Sequence, residues 1–434
     1  MQLDEATRPP TVLSRLRAAA CVLLAVGAPA MSHADATSAK YQLDATTLLY
    51  GEASRTRVVE PVARITRFFG GGGSLGAQFA LDVITGASPT GARPAGGVQT
   101  VTTPSGNTQI VGAGQLPATS FNDVRGAVDL DWLQPIGAVF GAATGAHYSL
   151  EKDYQSAGVS EMLSFETMHR LTTLTVGGGY NRDDVFPTGG TPVGLSTGGE
   201  LTGVDRNSKE VTSLMVGVSR VLSRRWLVGI NATRSDERGY LTEPYKVVSL
   251  LDPTTQEPVG HLTELRPSSR QRTDVLGSSV YHLARDILYA SYRYYWDDWG
   301  LRSQTLDFKY RAELGGEVFL QPHVRFYTQS DADFFTLGLV NGAPLPTHAS
   351  SDQRLSHFNS VTAGLTYGFK LPGYAGVFTV RGEYIGQFER VNLVQEPGEA
   401  EEEGEEENGG APVTSDAFPR LNIGTLTISY SLSF

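Results

Sequence analysis

From Tyr41 onward, polar and apolar positions alternate in segments of roughly 10 to 15 residues, each followed by a turn or a loop. The last segment is the plainest. Its even positions are Asn422, Gly424, Leu426, Ile428, Tyr430, Leu432 and Phe434, while its odd positions include Thr425, Thr427, Ser429, Ser431 and Ser433. Successive strand side chains point to opposite faces, so this segment predicts a strand with one apolar face and one face of small hydroxyls. Other segments repeat the division. Leu288, Ala290, Tyr292, Tyr294 and Trp296 oppose Ser291, Arg293, Tyr295 and Asp297; Leu306, Phe308 and Tyr310 oppose Asp307, Lys309, Arg311 and Glu313; Phe378, Val380, Tyr384 and Phe388 oppose Thr379, Arg381, Glu383 and Gln387. Apart from Arg302 and Arg390 at segment ends, charges on these strands keep to one parity.

The connections alternate in length. Short ones fall at 69–73, 134–137, 168–170, 222–224, 284–285, 314–316 and 372–376. Long polar ones lie near 88–120, 186–208, 241–268, 330–354 and 392–418, with brief ones near 54, 155 and 299. Short periplasmic turns and long extracellular loops are the outer-membrane pattern. Segment starts near 41, 57, 74, 122, 138, 157, 171, 209, 225, 270, 286, 301, 317, 355, 377 and 420 predict about sixteen strands, with fourteen as the alternative. The second segment is the weakest, because Pro61 and Arg67 interrupt it.

An unpaired backbone polar group in hydrocarbon costs several kcal/mol, so an antiparallel wall in a bilayer has to close on itself. The expected fold is therefore all-β: one transmembrane antiparallel barrel over 35–434. A soluble propeller or sandwich shares the alternation, but its strands are shorter, about five or six residues.

Residues 1–34 read as a Sec-type signal: Arg15 and Arg17 flank an apolar core from Ala18 to Ala30, and cleavage is expected near Ala34. That core is too short to span a bilayer as a helix. The single cysteine, Cys21, falls inside it, which removes thiolate chemistry from the mature chain. Eight glutamates lie between Glu396 and Glu407, in a stretch at 392–418 read as a disordered extracellular loop. Taking those eight from the net charge of -11 leaves about -3, so the acidity is local and nucleic acid is not an expected partner.

Several runs look familiar together: LDVITGASPTG (81–91), SLEKDYQS (149–156), GYLTEPYK (239–246), SYRYYWDDWG (291–300) and RFYTQSDADFF (325–335). They resemble an uncharacterised bacterial outer-membrane barrel family known only as a domain of unknown function. The run ELRPSSR (264–270) departs from the acidic-Arg-Pro form of that family. Genes of the family often lie beside those for a flavin transferase, a thioredoxin-like protein and a small lipoprotein. The resemblance therefore implies a possible periplasmic redox protein or small lipoprotein as partner, and a link to extracytoplasmic flavin or redox chemistry. The end of the last segment, Tyr430, Leu432 and Phe434, also resembles the C-terminal signature read by the barrel-assembly machinery.

Candidate site residues fall into two groups. Glu151, Asp153, Asp297, Asp298, Asp331 and Asp333 are expected to form an acidic collection near the extracellular rim, either as a divalent-cation site or a cation-selective mouth, or paired with arginines that bind loops to the rim. Within the lumen, Arg293, Lys309, Arg311, Arg325 and Arg381 are expected to face Asp82, Asp129, Asp131, Asp307, Glu313 and Glu383, either as a transverse field across a pore or as a salt-bridged filling. His147 near Asp153 and His323 near Arg325 invite a hydrolase reading, but no serine in a nucleophile elbow and no HExxH run accompanies them, so no enzyme is expected. GGGGSLG (70–76) lacks the Lys-Ser/Thr ending of a phosphate loop and reads as a turn. No cofactor is expected. The leading reading is a porin-like channel or transport component in the outer membrane; the second is an outer-membrane scaffold for a periplasmic redox, flavin-linked or export assembly.

Overall fold

The structure, a computed structural model, describes residues 40–53, 55–102, 108–167, 171–316, 318–370, 375–389 and 421–434. The expected signal segment at 1–34, the acidic stretch at 392–418 and the turns at 168–170 and 371–374 lie outside the described residues.

Strands β1 (Tyr41–Glu52), β2 (Thr56–Phe68) and β3 (Ser74–Pro89) follow one another as hairpins. A loop then carries the short pair β4 (Gln99–Thr102) and β5 (Thr108–Val111). The wall resumes with β6 (Ala118–Ile136), β7 (Phe140–Leu150), β8 (Tyr154–Glu166), β9 (Thr172–Val185), β10 (Asn207–Ser223) and β11 (Trp226–Gly239). A second loop holds β12 (Val247–Leu251) and β13 (Pro258–Thr263), and β14 (Ser269–His282), β15 (Ile287–Asp297), β16 (Arg302–Gly315) and β17 (Val318–Gln329) come next. After β18 (Leu339–Val340) in a third loop, β19 (Phe358–Lys370), β20 (Val377–Glu389) and β21 (Leu421–Ser433) complete the chain.

Sixteen of these strands form one closed barrel, with β21 paired antiparallel to β1 from Gln42↔Ser433 to Glu52↔Ile423. The expected count of sixteen holds, and each expected start lies within four residues of the observed one. The doubtful second segment is a full strand. Pro61, which has no N–H to give, stands opposite Thr47 of β1, and the ladder to β3 skips Glu60 and Pro61.

The two faces separate as the alternation predicts. Phe79, Val159, Leu214, Leu306, Phe326 and Tyr384 are among the large apolar side chains exposed on the outside. Near the short turns the rings form a belt: Tyr41 stacks on Phe434 at 5.7 Å, while Phe140 meets Phe165 at 5.0 Å and Phe378 meets Tyr430 at 4.5 Å in tilted contacts. Amphipathic rings belong where a wall leaves hydrocarbon for water. Among the described residues no helix is long and apolar enough to cross a membrane. The glycine run after β2 is a turn, closed by Phe69 N–H donating to Gly73 O at 2.9 Å, with Gly71 and Gly72 at φ 91° and 89°. That left-handed backbone is what glycine permits at no steric cost.

At the opposite end the long loops fold over the mouth. β12 pairs with β13 and, in parallel, with β18 of the loop from β17 to β19. Ala92, Val101 and Val111 of the first long loop pack with Val247 of the second. A further apolar cluster, Trp299, Leu301, Ala332 and Leu355, ties the β15–β16 turn to the third. These loops leave the wall at widely separated strands, so their mutual packing covers the mouth.

Candidate functional site

The lumen face of the wall is charged. Asp82 is buried on β3, 3.3 Å from Arg125 of β6, whose Nε lies 3.6 Å from Glu151. Asp129 meets His147 Nδ1 at 2.7 Å and accepts from Gln78 at 3.3 Å, and Asp131 pairs with Arg64 at 2.7 Å. Eight strands round the wall, Arg293 of β15 lies 3.6 Å from Asp274 and Arg311 of β16 donates to Glu313 at 2.5 Å, while on β20, four strands from β3 in the other direction, Arg381 donates to Glu383 at 2.5 Å. Asp307 takes Arg325 at 2.8 Å and lies 3.7 Å from Lys309. The predicted lumen charges thus all face inward, but they pair with neighbours on their own side and not across the barrel.

The two sides differ in balance. Inward side chains of β3 and β6 include Asp82, Asp123, Asp129 and Asp131 against one arginine, Arg125. Those of β15, β16 and β17 include Arg293, Lys309, Arg311, Arg325 and His323 against Asp297, Asp307 and Glu313.

Both candidate histidines are held by carboxylates. His147 is paired with Asp129. His323, buried on β17, lies between two carboxylates: Nε2 is 2.9 Å from Asp307 and Nδ1 is 2.6 Å from Glu383. With acceptors at both ring nitrogens the imidazole acts as a bridge between β16 and β20.

The expected acidic rim is two separate places, six strands apart in the closed order. At the β15–β16 turn, Asp297 is an organiser of the loop. Its Oδ2 accepts from Arg270 at 2.6 Å and Tyr295 at 2.7 Å, and its Oδ1 from the N–H groups of Trp299 and Leu301 at 3.1 and 2.9 Å. Asp298 accepts from Gln271 N–H at 2.8 Å, while Asp331 and Asp333 are exposed. Asp333 lies against Gly300, where φ is 83° and an added Cβ would meet the carboxylate at 2.1 Å. At the β7–β8 turn, Glu151 and Asp153 converge with Asp123, a residue the sequence reading did not include; one carboxylate oxygen from each lies within 4.8 Å of the others. This set has the oxygen donors a hard divalent cation takes. Arg125 beside Glu151 and the Tyr245 hydroxyl, which donates to Asp153, already supply positive charge and a donor there.

Sequence reasoning missed the densest cluster, in the loops over the mouth. Lys246 is buried and donates to Pro89 O at 2.5 Å and to Ser88 Oγ at 3.3 Å. Arg266 joins Glu264 at 2.6 Å to Asp352 at 2.7 Å, Arg354 pairs with Asp352 and with Glu243 at 3.2 Å, and Ser350 donates to Glu264. Burial lowers the Lys246 ammonium below its ordinary range and raises the Glu264 carboxyl above its own. Burial also opposes ionisation of Asp352, but Arg354, Lys246 and Arg266 together hold that carboxyl well below the usual range. GYLTEPYK and ELRPSSR contain four of these residues, Glu243, Lys246, Glu264 and Arg266, yet only the fold brings them to Asp352 and Arg354. Beside the cluster is a cavity of about 610 Å³, walled by the barrel at Glu52, Phe121, Asp123 and Gln387 and by the loops at Lys152, Tyr245, Lys246 and Arg354.

The chain belongs to a family described as a protein of unknown function (DUF3570), whose sequence model matches residues 13–403. No curated protein matches it. Among solved structures, OccK2 (OpdF) of Pseudomonas aeruginosa in complex with glucuronate is 12% identical, with a TM-score of 0.40 over 92% of this chain and 99% of that one. The outer membrane protein opdK of the same organism is 9% identical, with a TM-score of 0.40 over 92% of this chain and 100% of that one. The ferric enterobactin receptor (PfeA) in complex with BCV-L6 is 10% identical, with a TM-score of 0.41 over 81% of this chain and 54% of that one. This chain thus spans about half of that receptor's length. At these identities the likeness is one of fold.

Proposed function

We propose that this DUF3570 barrel is an outer-membrane channel for small solutes, with its short turns in the periplasm and its long loops outside. The observation that carries the reading is the division of lumen charge, acid-rich on β3 and β6 and base-rich on the facing β15 to β17. A barrel of sixteen strands is wide enough for an aqueous lumen. In such a lumen, opposed walls of unlike charge set a transverse field that orients dipolar solutes and discriminates among ions. The folded loops then act as a constriction, and the cavity beside Lys246 is the vestibule a solute meets first.

Purified full-length barrel inserted into planar bilayers is expected to give discrete conductance steps. Barrel that is folded, shown by heat-modifiable migration, and yet electrically silent overturns the channel reading and favours the scaffold of a periplasmic assembly.

A further inference from the structure

Four arginines gather in one sector of the short-turn end. Arg224 and Arg225 form the β10–β11 turn, Arg285 lies in the β14–β15 turn, and Arg220 stands on β10 three residues before its end. Strands β11 and β14 pair, so the two turns are neighbours. All four residues are exposed, and among the described residues none of their guanidinium groups has a carboxylate within ion-pair distance or a hydrogen-bond acceptor. Among the described residues the one carboxylate on the outer face of β10 to β15 at this end belongs to Asp286, and it is engaged: it accepts from the Tyr310 hydroxyl at 2.6 Å and from Glu313 N–H at 3.0 Å. The turns at 69–73 and 134–137, by contrast, carry no charge. Positive charge is thus concentrated in this part of the rim.

Aromatic rings mark the height of this sector in the wall. Trp226 and Tyr281, partners on one rung, meet edge to face at 6.3 Å, and Trp226 Nε1 donates to Ser279 Oγ at 2.9 Å. Rings with a polar tip settle where hydrocarbon gives way to headgroups. Arg220 shares the outer face of β10 with Val218 and Leu222, both exposed. Its rung partner on β11 is Val228, two residues in from Trp226. A charge is costly in hydrocarbon, and an arginine avoids the cost by laying its stem along apolar surface and returning its head to the interface. Arg220 from the wall and the three turn arginines therefore meet the bilayer at headgroup level.

Guanidinium groups bind phosphate oxygens through paired, charge-assisted hydrogen bonds, and clustered arginines beside a membrane attract anionic headgroups. We propose that this edge of the wall, β10 to β14, binds the phosphodiester headgroup of an anionic phospholipid whose acyl chains lie along the apolar outer face of the same sector. Position on the wall favours lipid over protein as the occupant. Arg220 faces the bilayer among Val218, Leu222 and Trp226, where a lipid phosphate reaches it and an acidic protein in the aqueous phase does not. Leu174 of β9 and Ile230 of β11, both exposed, continue the apolar face away from the turns. The inference needs the wall to lie in a bilayer and is independent of whether the lumen conducts.

The test uses the full chain carrying Trp132→Phe and Trp296→Phe, which leaves Trp226 as the tryptophan on the outer face, since Trp299 is buried. The barrel is placed in phosphatidylcholine vesicles in which either phosphatidylglycerol or a matching share of the phosphatidylcholine has brominated acyl chains. Quenching of Trp226 then gives the relative affinity of the two lipids. Phosphatidylglycerol is expected to be preferred about fivefold, the effect of roughly one arginine at an anionic surface. Arg220→Gln with Arg224→Gln and Arg225→Gln is expected to bring the ratio to parity, and Arg285→Gln alone to lower it partway. Arg67→Gln, at the same end but six strands from β10, is expected to leave it unchanged. Heat-modifiable migration reports folding of each variant. Equal quenching by the two lipids before any arginine is replaced overturns the proposal and leaves an acidic protein as the partner. A ratio that survives the substitutions in this sector, or that Arg67→Gln lowers as far, overturns it too. A barrel that shows the preference but passes no current sinks the channel reading and leaves this one standing.

Discussion

Arg266 and Asp352, 86 residues apart in the chain, meet at 2.7 Å with both side chains buried, and so fasten the second long loop to the third across the mouth. Asp352→Ala leaves Arg266 and Arg354 in a site made for an anion. Arg266 keeps Glu264 at 2.6 Å and Arg354 keeps Glu243 at 3.2 Å, so the cost is less than the about 3–5 kcal/mol of leaving a buried charge wholly unpaired, but three cations then face two carboxylates. The barrel ladder does not use these residues. Limited proteolysis of Asp352→Ala is therefore expected to cut within 240–268 and 330–357 while the folded barrel still migrates as such. Resistance equal to that of the unsubstituted protein would show that the clamp does not hold the loops.

The same cluster sets an acid limit. The Asp352 carboxyl is held well below its ordinary value, so between that native value and the unfolded value, about 3.9, the detached state binds more protons than the docked one. Docking stability from Asp352 is complete above the ordinary carboxylate range and is lost as pH falls through the lowered native value. Glu264 runs the other way: its raised carboxyl favours docking below the ordinary range, and that contribution is lost as pH rises through the raised value. Protease access to the second and third long loops should increase on acidification below about pH 4, and Asp352→Asn should flatten that response.

Selectivity should follow the lumen charges. A unit charge about 8 Å from a permeating ion in water is worth ~0.5 kcal/mol, a roughly twofold change in relative permeability. Arg325→Ala should move the reversal potential under a salt gradient towards cation preference, and Asp129→Asn towards anion preference. Shifts in the same direction for both would contradict a field made by opposed walls.

Phe434 closes the seam. Its carbonyl accepts from the N–H groups of Lys40 and Tyr41, both at 2.9 Å, and its ring stacks on Tyr41. Deleting it removes these contacts, together with the residue resembling the assembly-machinery signature. The assembled fraction in the outer membrane should fall severalfold, read as loss of the heat-modifiable form, whereas Phe434→Tyr should assemble.

Much of the wall was legible beforehand, because a strand with one face in lipid and one in water must alternate, and the alternation survives in Leu306 against Asp307 or Tyr384 against Glu383. The inward direction of Arg293, Lys309 and Arg381 followed from the same parity. Their partners did not follow. Asp307 meets His323 and Arg325 because of the β16–β17 register, which no local pattern states. The grouping of the acidic rim did not follow either: Glu151 and Asp297 both lie at turns on the long-loop side, and the closed order sets them six strands apart.

By itself the chain determined that it would be a barrel of about sixteen strands, which residues would face out, and where its long and short connections would fall, since these depend on period and length. Only the tertiary structure decided how Lys246, Glu264, Arg266, Asp352 and Arg354 meet over the mouth and which wall carries the excess of acid. Glu161 shows the difference most directly: parity puts it outward, but its hydrogen bond from Thr144 exists only once β7 and β8 are in register. Alternation acts between residues one apart in the chain, whereas electrostatic partnership acts between residues a few ångströms apart in space.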